Sequence, residues 1–140
     1  PSILVKNHNF PIGSPLKDDL TRSLKVSNVY KECDDIVRLV LKSPSGHVLP
    51  KWSPGSHIDL IINGYNRKYS LCGQSESSNQ YEIAILKEEE GRGASKYIYD
   101  NISMDDDVQI VGPKNHFRLD EQASSYMLIA GGIGITPILA

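Results

Sequence analysis

"HIDLIINGYNRKYSLCG", residues 57–73, carries the reading that decides the fold. A β-rich run at 57–62 is entered through Ser53-Pro54-Gly55 and left through Asn63-Gly64. An Asn-Gly pair followed by Tyr65-Asn66 reads as a hairpin turn into a second strand at Arg67. Outward from this hairpin the same signals recur. "LKVSNVYKEC" (24–33) alternates Leu24, Val26 and Val29 with polar residues, the pattern of a half-buried strand. "IVRLVLKS" (36–43) is β-rich and ends at the turn Ser43-Pro44-Ser45-Gly46. "YEIAILKE" (81–88) and "DVQIVGP" (107–113) add a fifth and a sixth strand, with one helix signal between them over 95–101. Short strands with a single helical excursion predict a mainly β, small antiparallel barrel or sandwich.

The pattern changes after residues 121–124. "SYMLIAGG" (125–132) is a continuous apolar run, which suits a strand buried on both faces of a parallel sheet. Gly131, Gly132 and Gly134 follow, then Thr136-Pro137. The general dinucleotide fingerprint G-x-G-x-x-G is not completed, because Pro137 takes the place of its last glycine. Proline is tolerated in the first helical turn, so Thr136 is expected as N-cap and Pro137 as the first helical residue. These signals divide the chain into an N-terminal extension (1–23), a β-barrel (24–121) and the start of an α/β domain (122–140). Without its sheet, the strand at 127–130 is expected to be exposed, mobile or paired with a neighbour.

Composition narrows the function classes. A chain of 140 residues supports one real core, and 39% hydrophobic with 23% charged residues is ordinary for a globular protein. A net charge of -2, with no Lys/Arg cluster, argues against a nucleic-acid surface. No apolar stretch approaches the roughly 20 residues that span a bilayer. Cys33 and Cys72 stand far apart; they leave one disulfide open but fit free thiols in a reducing cytoplasm better. They cannot supply the four thiolates of a plant-type iron-sulfur cluster. His8, His47, His57 and His116 show no metal-ligand spacing, so no metal site is expected. The runs Glu88-Glu89-Glu90 and Asp105-Asp106-Asp107 read as solvated turns.

The chemistry concentrates in two stretches. In "RKYSL" (67–71), strand alternation places Arg67, Tyr69 and Leu71 on one side and Lys68 and Ser70 on the other. In "EGRGASKYI" (90–98), Gly91 and Gly93 let backbone amides approach a ligand and Ser95 can cap a helix. A helix N-terminus with an arginine nearby is an anion site. Either stretch alone is more often an ordinary surface strand or turn.

Five motifs in order, "PGSHIDL", "RKYSLCG", "EGRGAS", "GPKNHF" and "AGGIGITP", resemble the ferredoxin-NADP reductase superfamily. The likeness is greatest to the phthalate dioxygenase reductase group, with its vanillate demethylase and carnitine monooxygenase reductases, and it runs over residues 24–140. It implies a six-stranded antiparallel Greek-key flavin barrel with one capping helix. A nicotinamide domain follows and, in this group, a [2Fe-2S] domain that this chain does not include. Arg67 matches the arginine on the flavin phosphate, with Lys68 beside it. Tyr69 matches the tyrosine along the ribityl and ring, and Ser70 the catalytic serine whose hydroxyl faces flavin N5. Gly91, Gly93, Ala94 and Ser95 match the phosphate turn. Ala84, Ile85 and Leu86 match the strand whose backbone meets the ring edge. Gly131, Gly132, Gly134 and Thr136 match the nicotinamide loop. The resemblance further implies FMN, with FAD the alternative, and electrons passing from NADH through the flavin to an iron-sulfur centre serving a Rieske-type oxygenase. On this reading the chain is cut just inside its nicotinamide domain and binds FMN without efficient NADH oxidation. A flavin-free docking barrel is the reading from a different class.

Overall fold

The computed structural model describes residues 20–76 and 79–140. Six strands follow in order: β1 (Thr21–Lys31), β2 (Ile36–Lys42), β3 (Ser56–Ile62), β4 (Tyr65–Cys72), β5 (Gln80–Leu86) and β6 (Asp107–Asn115). One α-helix, α1 (Ala94–Asn101), stands between β5 and β6. The strands close into a barrel in the order β1-β2-β5-β4-β3-β6, every pairing antiparallel. The expected architecture is therefore present, as a barrel and not a sandwich.

Alternation supplies the core. In β3, Ser56, Ile58 and Leu60 are buried while His57 and Asp59 face outward. Leu24, Val26, Leu39, Leu71, Ile83, Ile85 and Ile110 complete the packed interior, each essentially without solvent contact. Each such side chain contributes about 1.5–3 kcal/mol on leaving water. The hairpin turn falls where the sequence puts it, with Ile62 paired to Tyr65 across Asn63-Gly64.

Several boundaries differ from expectation. Strand β1 starts at Thr21, inside the supposed extension, because Thr21 and Arg22 pair with Val111 and Ile110 of β6. Residues 1–19 of that extension lie outside the described residues. Strand β6 runs past Pro113 to Asn115. Proline is admitted there by a bulge: the β3–β6 register steps from His57↔Lys114 to Asp59↔Val111, which leaves β6 one residue longer over the interval.

The segment after the barrel departs further. Residues 126–130 form no strand, and Tyr126, Met127, Leu128 and Ile129 are exposed. A strand needs a neighbour's backbone, and among the described residues none of the barrel strands pairs with this segment. Of the outcomes expected for this run, exposure is the one found. A 3-10 turn spans Gly132–Ile135. Thr136 is not an N-cap: it is in helical conformation, and its hydroxyl donates back to the Ile133 carbonyl at 3.1 Å, closing that turn.

Candidate functional site

Strand β4 meets its two neighbours unequally. With β3 it pairs continuously from Tyr65 to Ser70. With β5 it pairs only at Leu71↔Ile83 and Cys72↔Glu82. Beyond those two pairs the strands part, and a cleft of about 550 Å³ opens with residues 67–70 and Ala84 and Leu86 in its walls. Glu88, Gly91, Arg92, Ala94 and Ser95 add a second wall, and Ile133, Gly134, Thr136 and Pro137 a third.

Local chemistry explains the second wall. Helix α1 starts at Ala94 behind Gly93, whose φ of 95° is open to glycine and strained for other residues. A Cβ at Gly93 would also stand 3.0 Å from the Tyr65 hydroxyl. The first helical bond is Tyr97 N–H to Gly93 C=O at 2.9 Å, so the N–H groups of Ala94, Ser95 and Lys96 have no partner within the helix. No side chain caps them and no acid stands in the first turn. Ser95, expected as the cap, lies inside the helix; its Oγ accepts the Glu88 N–H at 3.1 Å and ties down the preceding loop. Glu89, expected as part of a solvated turn, braces that loop by pairing with Lys96 at 2.6 Å and Lys87 at 3.2 Å.

The charges of the cleft are not evenly matched. Lys68 is neutralised by Asp59 at 2.7 Å, across the β3–β4 ladder. Arg67 donates to its neighbour's carbonyl, Asn66 O, at 2.7 Å. Among the described residues neither Arg67 nor Arg92 has a carboxylate partner. Burial raises the Tyr69 phenol above its ordinary value, with Arg67 pulling the other way, so the hydroxyl stays neutral and able to donate. Burial also pushes the Cys72 thiol up to about 11, aided by the Glu82 carboxylate. Cys72 is not in the cleft lining, and such a thiol is a poor nucleophile.

Eleven expected residues meet in one lining: Arg67, Lys68, Tyr69, Ser70, Ala84, Leu86, Gly91, Ala94, Ser95, Gly134 and Thr136. Ile85 does not, because strand alternation turns its side chain into the core. Gly93 stands behind the lining as the helix cap, and Gly131 and Gly132 lie outside it. Glu88, Arg92, Ile133 and Pro137 were missed. Arg92 was legible as the charged residue between the two glycines of "GRG". The tail residues reach the cleft by folding back against β5, which no local signal announces.

A second cavity of about 320 Å³ shares Lys68, Ser70 and Pro137 with the first and adds Gly55, His57, His116 and Phe117. Asn115 holds this corner together: its Nδ2 donates to Ser53 Oγ at 2.8 Å and Pro54 O at 2.9 Å, and its Oδ1 accepts the Phe117 N–H at 2.9 Å. Gly55 lets the chain cross there, since a Cβ would lie 2.1 Å from Phe117 O. Phe117 is 61% exposed.

A barrel with one helix laid over a parted strand pair, with Arg92 just ahead of that helix and Arg67 on β4, makes a cleft suited to a nucleotide-like anion. Comparison with known proteins agrees. Residues 23–119 match the family model described as the oxidoreductase FAD-binding domain, and the chain belongs to that family. It is 40% identical over 128 residues to phthalate dioxygenase reductase of Burkholderia cepacia, covering 91% of this chain and 39% of the relative. The solved structure of a phthalate dioxygenase reductase, described as modular for electron transfer from pyridine nucleotides to [2Fe-2S], superposes with a TM-score of 0.82 at 40% identity. That match covers 88% of this chain and 39% of the other. An intact type IV self-sufficient cytochrome P450 monooxygenase matches with a TM-score of 0.84 at 41% identity, over 91% of this chain and 17% of that one. The chain spans under two fifths of the curated relatives' length at 39%, 37% and 38%. These relatives are oxidoreductase components of oxygenase systems.

Proposed function

We propose that the cleft between β4 and β5 binds FMN, and that the domain carries electrons from a reduced pyridine nucleotide toward an oxygenase. One observation carries the reading: Arg67 and Arg92, unmatched by carboxylates among the described residues, share the cleft with the uncapped N-terminus of α1. Free N–H groups and a positive helix end favour an anion, and two guanidinium forks match a terminal phosphate monoester. Tyr69, half-buried and neutral, offers an apolar face with a polar tip to a flat ligand. The parted strand edges at 67–70 and 84–86 offer backbone donors and acceptors in the manner of a missing ladder. These features fit a flavin mononucleotide. Bound flavin supplies the conversion between a hydride and single electrons. In this reading Ser70 holds its hydroxyl at the reacting position, Ala84, Ile85 and Leu86 present backbone to the ring edge, and Gly131, Gly132, Gly134 and Thr136 belong to a nicotinamide loop.

The fuller assignment is a barrel up to residue 121, now with β1 from Thr21, and the opening of a nicotinamide domain over 122–140, within an NADH-dependent reductase of a reducing cytoplasm. Its electrons would leave through a [2Fe-2S] centre for a Rieske-type oxygenase. The name of the matching family favours FAD as the second reading. Titrating flavin-free protein with FMN and FAD, followed by fluorescence quenching, separates the two. FMN is expected to bind at least about tenfold tighter, the worth of one charge-assisted phosphate contact. Equal or tighter FAD binding overturns the FMN assignment, and binding of neither leaves the flavin-free docking barrel.

A further inference from the structure

The corner beside Ser70 holds a group that the flavin site as described does not use. His57 stands directly opposite Ser70 in the β3–β4 ladder, so the two side chains share the outer face of the sheet. Both line the second cavity, and Ser70 lines the first as well, so Ser70 is shared by the two. The His57 Nε2 atom is shut off from solvent and has no hydrogen-bond partner among the described residues. A buried polar atom left unpaired is costly and calls for a reason. His116 packs edge-on against it, ring centroids 5.4 Å apart at 62°, held there by the Asn115 brace.

We infer that His57, acting through Ser70 and backed by His116, is the proton-exchange residue of the site. The inference rests on the flavin reading above. A reduced pyridine nucleotide delivers a hydride, which is two electrons and one proton. A one-electron acceptor takes the two electrons one at a time, in two transfers, and the proton is left behind. It must therefore leave the site once per turnover, and imidazole is the side chain suited to trading a proton near neutral pH. Of the other candidates in the lining, Lys68 is paired with Asp59 and Tyr69 is held neutral by burial, while Glu88 lines only the first cavity, on the α1-loop wall.

The surroundings of His57 keep it in the receiving form. Burial lowers its pKa first, and the positive charge of Lys68 on β4 adds to that. Lys114 on β6 and His116 push in the same direction, while Asp59 on its own strand opposes them. An imidazole whose pKa is lowered is neutral at pH 7, hence a base ready for a proton.

The test uses the whole chain loaded with FMN. Proton NMR follows the His57 ring through a pH titration, once with oxidised cofactor and once after reduction by dithionite. His57 is expected to titrate at higher pH in the reduced complex, by at least about half a unit, because added negative charge nearby favours imidazolium. The midpoint potential of the bound flavin, measured against pH, should bend at those same two pH values. His57→Gln should lose both bends, whereas His47→Gln, outside both cavities, should keep them. Identical His57 titrations in the two redox states overturn the inference, and so does an H57Q potential curve that keeps its bends. The wild-type titration decides the matter if H57Q does not fold. Failure of FMN to bind at the outset is a different result, which removes the flavin reading itself.

Discussion

Two glycine-rich turns of this chain look alike in sequence and end differently in space. "EGRGAS" and "GGIGIT" both place glycines ahead of a helical signal. The first sits between β5 and α1, with Gly93 leaving no room for a Cβ beside Tyr65 and its helix packed through Ala94 and Ile98 on the barrel. The second follows an exposed run and folds into a single 3-10 turn with no buried residue. Glycine gives backbone freedom in both, and both reach the cleft that Arg67 and Arg92 line; only the first is backed by a packed helix with free N–H groups at its start. A glycine-rich turn therefore marks where backbone is able to approach a ligand. What stands across from it decides whether a site exists.

Removing the charge that faces the first turn should have the largest effect. Arg67→Ala is expected to weaken FMN binding about 10- to 100-fold, the value of one or two bonds from a charged donor. Arg67→Lys keeps the charge but loses the planar fork, and should fall between wild type and Ala. Fluorescence titration measures both. Unchanged affinity in R67A would detach the cleft from the phosphate and void the contrast between the turns.

Next in size is the backbone of the first turn. Gly93→Ala places a side chain at φ 95° and 3.0 Å from the Tyr65 hydroxyl, which should cost about 1–3 kcal/mol of stability. A lower thermal midpoint and weaker FMN binding should appear together, since the same residue sets the helix N-terminus. Ser95→Ala follows, with a loss of about 1 kcal/mol from the bond that holds the Glu88 N–H. Its expected mark is a fall in melting temperature that added FMN largely restores, because ligand binding re-orders the loop.

Much of this was legible in the sequence, and the exceptions share a cause. The hairpin at Asn63-Gly64 and the six strands follow from local signals and strand alternation, while the meeting of Arg67–Ser70 with the α1 loop was implied by the family resemblance. Ile85 shows how alternation divides a strand: its side chain turns into the core, which leaves only its backbone for the cleft. Ser95 was misjudged because a helix start is read to within a residue or two, and the cap is Gly93. The gap between β4 and β5, the source of the cleft, has no sequence signature. Pairing is a property of two strands, and neither strand alone shows where the ladder stops. Ile133 and Pro137 were invisible for the same reason, as long-range contacts made by a segment without a strand of its own.

The smallest effect belongs to the second turn. Gly132 has φ 65°, yet a Cβ there meets nothing within 4 Å. Gly132→Ala therefore costs only local backbone strain of about 1–2 kcal/mol. That strain falls on a segment flanked by exposed residues, which relaxes without disturbing the barrel. The melting midpoint should stay within about 1 °C of wild type and the FMN affinity within about twofold. Gly134, which does line the cleft, is the sharper probe. Gly134→Val fills open space at a position with nothing within 4 Å of the new Cβ, so it should fold normally and change affinity only if the tail stays over the ligand. A loss in G132A as large as that in G93A would mean that the tail wall of the cleft depends on the conformation of Gly132, and that the two turns contribute equally to one site.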